Sequence, residues 1–93
     1  MSDPINFAYF TAARDKVFSL TDFDGVALQL IEVRQLSGFT PTHEAYALLF
    51  RGPLQAELGQ GTYALALEGQ TIDIFLVPVA RKADGMHYEA IFN

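Results

Sequence analysis

The 93-residue chain has no cysteine and little charge. Without cysteine it has no disulfide, no thiolate metal ligand and no cysteine nucleophile. Charged residues make up 18% of the chain and hydrophobic residues 51%, a composition that excludes intrinsic disorder. Because a chain of this length has room for only one hydrophobic core, we expect residues 1–93 to form a single domain.

Basic residues are scarce and scattered. Six Lys and Arg oppose eleven Asp and Glu, which gives a net charge of −5 at pH 7, and only Arg81 and Lys82 are adjacent. Nucleic acids and anionic membrane surfaces are bound by clustered basic residues. We therefore expect neither a nucleic acid nor a membrane as a partner.

Long apolar runs are also missing. The segment from Ile74 to Ala80 spans seven residues and contains Pro78, so it is too short to cross a bilayer. The first residues show neither the positive charge nor the apolar stretch of an export signal. The expected location is the cytoplasm.

What the chain does contain is a series of short alternating segments separated by turn residues. The spacing of Phe7, Phe10 and Val17 predicts one helix over residues 6–16, capped by Asn6 or Asp3 and docked on an opening of a β structure. Tight hairpin turns are predicted at Asp24-Gly25 and at Gly69-Gln70. The predicted strands cover residues 17–20, 26–34, 46–51, 62–68, 71–80 and 86–92.

Short turns between consecutive strands favour antiparallel pairing. The expected fold is therefore mainly β, either a small antiparallel barrel or a two-layer sandwich of about six strands, with a short N-terminal helix. The alternation of apolar and polar residues shifts by one position near Leu30-Ile31, which predicts a β-bulge there. Pro78 predicts a second bulge or a sheet edge, because it lacks an N–H group.

The predicted strand over residues 71–80 is apolar on both faces. One face carries Ile72, Ile74 and Leu76, and the other carries Phe75, Val77 and Val79. Strands of this kind usually have both faces covered, so we expect a central or doubly covered position.

Catalytic motifs are lacking. None of the three serines lies in a nucleophile-elbow motif, and Gly59-Gln60-Gly61 lacks the spacing of a phosphate-binding loop. We therefore expect a protein that is not an enzyme and that uses no cofactor.

The histidines allow a metal-binding alternative. His87 and Glu89 project from one strand face, and His43 is able to approach from a loop. Two imidazoles and a carboxylate form an acceptable ligand set, but polar residues two apart are also typical of an ordinary exposed strand face.

Aromatic residues make up 13% of the chain, more than a small core needs. Phe23, Phe39 and Tyr9 lie in or near loops or on the helix, which favours a protein-binding surface or packing against the ends of the barrel. Arg51, at a strand end, is either a partner contact or half of a salt bridge with Glu57, Glu89 or Asp73. These alternatives stay open.

Four sequence blocks resemble a family of small bacterial domains of unknown function. They are Tyr46–Pro53, Gln60–Tyr63, Phe75–Val79 and Tyr88–Asn93. The resemblance covers residues 7–93 and implies an association with phage-tail-like gene clusters.

Together these features predict a non-enzymatic protein-interaction module or assembly accessory. The expected partner is another protein or a second copy of the chain. The alternative is a small-ligand-binding or metal-binding barrel, with minor enzymatic activity, centred on His87, Glu89 and His43.

Overall fold

The computed structural model describes residues 5–23 and 25–93, in which six strands form a closed barrel in the order β1-β2-β3-β6-β5-β4. All neighbouring strands are antiparallel. The predicted mainly β fold with a short N-terminal helix is confirmed, and its form is the barrel. The elements are α1 (Phe7–Ala12), β1 (Val17–Leu20), β2 (Ala27–Gln35), β3 (Tyr46–Gly52), β4 (Gly61–Leu67), β5 (Gln70–Lys82) and β6 (Gly85–Phe92).

Alternation along the strands fills the barrel interior. Inward-facing side chains from every strand are almost completely buried, and they form one continuous cluster. Its largest members are Tyr88, Phe10, Phe18, Phe50, Leu28, Leu30, Leu48, Leu65, Ile74 and Leu76. The interior of the barrel is therefore a packed core.

Strand β5 is long because it pairs with two neighbours in succession. Its first part, from Gln70 to Leu76, pairs with β4, and its second part, from Val77 to Lys82, pairs with β6. The register shifts between Pro78 and Ala80, as Pro78 predicts. The bulge predicted in β2 is also present, between Leu30 and Glu32.

The helix is shorter than the predicted range of residues 6–16. It ends at Ala12 because Asp15 adopts a φ of 73°, from which its N–H donates to the Leu30 carbonyl at 2.6 Å. Val17 consequently belongs to β1. Asn6 caps the helix as predicted, accepting from the Tyr9 N–H at 2.9 Å, and Glu44 adds a second cap by accepting from the Phe7 N–H at 2.9 Å. Asp3, the other predicted cap, lies outside the described residues.

The hairpin predicted at Gly69-Gln70 turns one residue earlier. Leu67 pairs with Gln70, so the two turn residues are Glu68 and Gly69, with φ of 51° and 81°. Positive φ at both positions is the requirement of a type I′ turn, which matches the twist of the flanking strands. The other predicted turn, Asp24-Gly25, includes a residue outside the described ranges.

Both openings of the barrel are closed. At the end where β3 begins and β6 ends, the helix residue Phe10 packs against Tyr46 and Phe92, at ring distances of 6.0 and 5.7 Å. At the other end, the loop over residues 53–60 inserts Leu58 into the core. The outer surface is therefore the accessible part of this barrel.

Candidate functional site

The outer face of β5 is apolar and uncovered. Phe75 and Val79 are 52% and 50% exposed, and Val77 between them is half-buried. We call Phe75, Val77 and Val79 the outer β5 face. Ile91, on the outer side of the adjacent strand β6, is 51% exposed.

This exposure overturns the expectation that β5 has both faces covered. The core covers only the face of Ile72, Ile74 and Leu76, because the barrel is a single layer of sheet and its one helix lies over an opening. An apolar strand face that would normally be buried is thus left in contact with water. Contiguous exposed apolar residues of this kind are typical of protein-binding surfaces.

Charges of opposite sign lie at the two ends of the outer β5 face. Asp73 precedes Phe75 and is exposed, and Lys82 ends the strand and is also exposed. After the bulge, Ala80 pairs with His87 and Lys82 pairs with Gly85. In this register the side chain of Lys82 points to the outside of the barrel. Within the part of the chain that the structure describes, neither Asp73 nor Lys82 forms an ion pair.

Arg51 lies in a polar network on the outside of β3. Its guanidinium contacts Asp84 at 3.2 Å and donates to the side-chain oxygen of Gln29. His87 Nε2 lies 3.1 Å from the second Asp84 oxygen. The hydrogen bond with His87, followed by that from Arg51, lowers the pKa of the Asp84 carboxyl.

The predicted salt-bridge partners of Arg51 are therefore wrong. Arg51 is paired across the sheet with His87, which brings it beside the β5–β6 turn that carries Asp84. Glu57 instead lies 4.0 Å from Arg81, and Glu89 lies 3.5 Å from Arg34. Arg51 thus donates hydrogen bonds to two side chains of its own chain, Asp84 and Gln29.

The three aromatic candidates lie in different places. Phe39 packs edge-on against Phe7 at 5.0 Å, which fixes the helix to the loop before β3. Phe23 is 42% exposed and lies 5.8 Å from Tyr63. Tyr9 is half-buried on the helix. Among the described residues, no ring contact joins these three aromatic residues to one another or to Phe75.

The metal-binding candidates are also separated. The 7%-exposed His87 pairs with Arg51 near the end of β3, whereas His43 precedes the start of β3. Glu89 shares the outer face of His87, but it points to Arg34. Among residues 5–23 and 25–93 no group of three or more potential ligand side chains is arranged to hold a metal ion.

A cavity of about 300 Å³ lies between the helix and the β4–β5 hairpin. Lys16 and Glu68 form a 2.9 Å ion pair at its wall, and Tyr9 also lines it. Burial raises the pKa of the Tyr9 hydroxyl, and the Glu68 carboxylate acts in the same direction. The two charged side chains that line the cavity are thus paired with each other.

In the part of the chain that is described, no helix has the length and apolar character needed to span a membrane.

Sequence and structure comparisons connect the chain with one family. No curated protein and no solved structure matches it. The model of a family described as a domain of unknown function, DUF6916, matches residues 5–92. Because this match covers nearly the whole chain, the protein belongs to the DUF6916 family of domains of unknown function.

Proposed function

We propose that this protein is a non-enzymatic interaction module that binds another protein chain through the outer β5 face. The observation that carries the proposal is the exposure of Phe75 and Val79 on a strand whose other face carries the fully buried Ile74 and Leu76. Burying such side chains is the main driving force of protein association. Aromatic residues such as Phe75 are enriched at the centres of interfaces.

The closed barrel limits how a partner is able to bind. Strand addition requires an open sheet edge, and each strand of this closed barrel pairs with a neighbour on both sides over at least part of its length, so that no strand has a whole edge open. A partner therefore contacts side chains on the outside of the sheet. The apolar outer β5 face is better suited to this than the polar outer face of β2, where Glu32 and Arg34 pair with each other.

The area available is adequate for a specific complex. A standard interface takes about 800 Å² from each partner. That is roughly one seventh of the 5538 Å² surface of the chain. Such a footprint, centred on Val77, extends beyond β5 onto the neighbouring strands and includes Ile91.

The resemblance favours a particular setting, an accessory of a phage-tail-like or other multi-subunit particle in the cytoplasm. A small-ligand-binding barrel is the weaker candidate. The interior is filled by Phe18, Phe50 and Tyr88, and the surface cavity beside Tyr9 already contains an internal ion pair. A metal site built from His43, His87 and Glu89 is disfavoured by their separation.

The test compares two exposed positions on different strands. Phe75→Asp places a charge in the outer β5 face, and Val17→Asp does so at a 54%-exposed position on β1. Native mass spectrometry of each form, re-isolated from the producing cells, reports the complexes. We expect Phe75→Asp to lose a complex that Val17→Asp retains. A complex that survives Phe75→Asp, or the absence of any complex for the unmodified chain, contradicts the proposal.

A further inference from the structure

Resting on this function, we propose that the occupant of the outer β5 face is a second copy of the same chain. The two β5 strands pack face to face and antiparallel, so that Asp73 of each copy meets Lys82 of the other. The basis is the order of side chains along the strand. An acid comes first, then the apolar Phe75, Val77 and Val79, and then a base.

This order is self-complementary when it is reversed. In a two-fold symmetric interface, residue i of one copy contacts residue j of the other, and j contacts i. A two-fold axis beside Val77 sets the acidic end of each strand against the basic end of its partner. It also sets the Phe75 ring of each copy against Val79 of the other.

The charges at the two ends have no ion-pair partner among residues 5–23 and 25–93. Both side chains are exposed. By contrast, the exposed cations Lys16, Arg34 and Arg81 each lie within 4.0 Å of an acidic group. A dimer of the proposed geometry forms two equivalent ion pairs at the rim of an apolar centre, which is the usual anatomy of an interface.

The net charge of −5 opposes self-association, but its range is short. At physiological ionic strength, charges are screened beyond a Debye length of about 8 Å. The proposed contacts between Asp73 and Lys82 lie within that distance. The charges at the ends of the two packed β5 strands therefore determine whether the local electrostatic interaction is attractive.

Charge reversal at the two ends tests this geometry. Asp73→Lys gives each copy two bases at the ends of β5, and Lys82→Asp gives each copy two acids. Either variant alone places like charges together at both contacts. We expect its dimer to dissociate roughly tenfold or more readily than that of the unmodified chain in sedimentation equilibrium.

Mixing the two variants is the decisive step. A heterodimer of Asp73→Lys with Lys82→Asp has opposite charges at both contacts, so the equimolar mixture should dimerise about as tightly as the unmodified chain. Circular dichroism checks that each variant is folded, and Val17→Asp serves as the control that leaves the dimer intact.

Several outcomes overturn the proposal. They are an unmodified chain that is monomeric at every concentration, single variants that dimerise normally, and a mixture that stays monomeric. If any of these occurs while Phe75→Asp still abolishes a complex with a different protein, the outer β5 face remains the binding surface and only its occupant is wrong. If Phe75→Asp also has no effect on any complex, the proposed function fails as well.

Discussion

The backbone N–H of Leu58 donates a 2.9 Å hydrogen bond to the hydroxyl of Tyr88, which is completely buried. This bond fastens the loop over residues 53–60 across one opening of the barrel. Tyr63 holds the same loop from outside, because its hydroxyl donates to the Gly59 carbonyl at 2.6 Å.

Removing the Tyr88 hydroxyl should be costly. Tyr88→Phe leaves the buried Leu58 N–H without an acceptor, which lowers the free energy of unfolding by about 1–3 kcal/mol. Tyr63→Phe is the matched control, because its bond is exposed to water. Urea unfolding of both variants measures the difference, and equal losses would contradict the role assigned to Tyr88.

Gly85 is required where β6 begins. It has a φ of 141°, and a Cβ there would collide with the Gly52 carbonyl and approach Arg51 Cγ to 3.0 Å. Gly85→Ala should therefore reduce the free energy of unfolding by about 2 kcal/mol or more. Gly69→Ala, at a φ of 81° with open space around it, should cost only about 1 kcal/mol. Thermal unfolding ranks the two, and the reverse order would refute the close-approach argument.

The stability of the fold should decrease at acidic pH because the carboxylate of Asp84 becomes protonated. Hydrogen bonds with His87 and from Arg51 lower its pKa from the ordinary value of 3.8. A carboxyl with a lowered folded-state pKa stabilises the protein above its unfolded-state pKa, and this contribution disappears as the pH falls through the folded-state value. Asp84→Asn should therefore lower stability at neutral pH and flatten the stability profile below pH 3.8. Unfolding across that range measures both effects, and parallel profiles would show that Asp84 is not coupled to the fold.

Phe39→Ala should destabilise the chain instead of acting only on a partner. The ring packs 5.0 Å from Phe7, and such aromatic pairs contribute about 0.5–1.5 kcal/mol beyond their buried area. Phe23→Ala, whose ring is 42% exposed, should cost less. Differential scanning calorimetry compares the two variants. An unchanged midpoint of thermal unfolding for Phe39→Ala would contradict the structural role and would leave Phe39 a candidate for partner contact.

Local pattern was enough to predict most of the barrel. The alternating segments predicted all six strands of the described barrel, and Pro78 marked a bulge because proline lacks a ladder donor. The end of the helix was not predictable, because it depends on a hydrogen bond between Asp15 and Leu30, a contact between different elements. Asp84 was missed as the partner of Arg51 for a similar reason, since their proximity depends on the pairing of β3 with β6.

The sequence predicted only part of the candidate site. The apolar pattern of Phe75, Val77 and Val79 was recognised, but it indicated a covered strand, because periodicity cannot distinguish burial within a chain from burial by a partner. Exposed aromatic residues were expected in loops and on the helix, so Phe75, which lies on a strand, was not among the predicted contacts. Membership of a family of domains of unknown function is confirmed, whereas the phage-tail association stays a prediction.

The most direct test of the central claim is a concentration series of backbone and methyl NMR spectra. As the protein is concentrated, we expect shifts confined to Phe75, Val77, Val79 and Ile91 and to the rim residues beside them, because a second copy covers that face. The signals of Val17, equally exposed on β1, should stay constant. Spectra that do not change, or shifts centred on Val17 in place of Phe75, would contradict the claim that two copies of this chain associate through the outer β5 face.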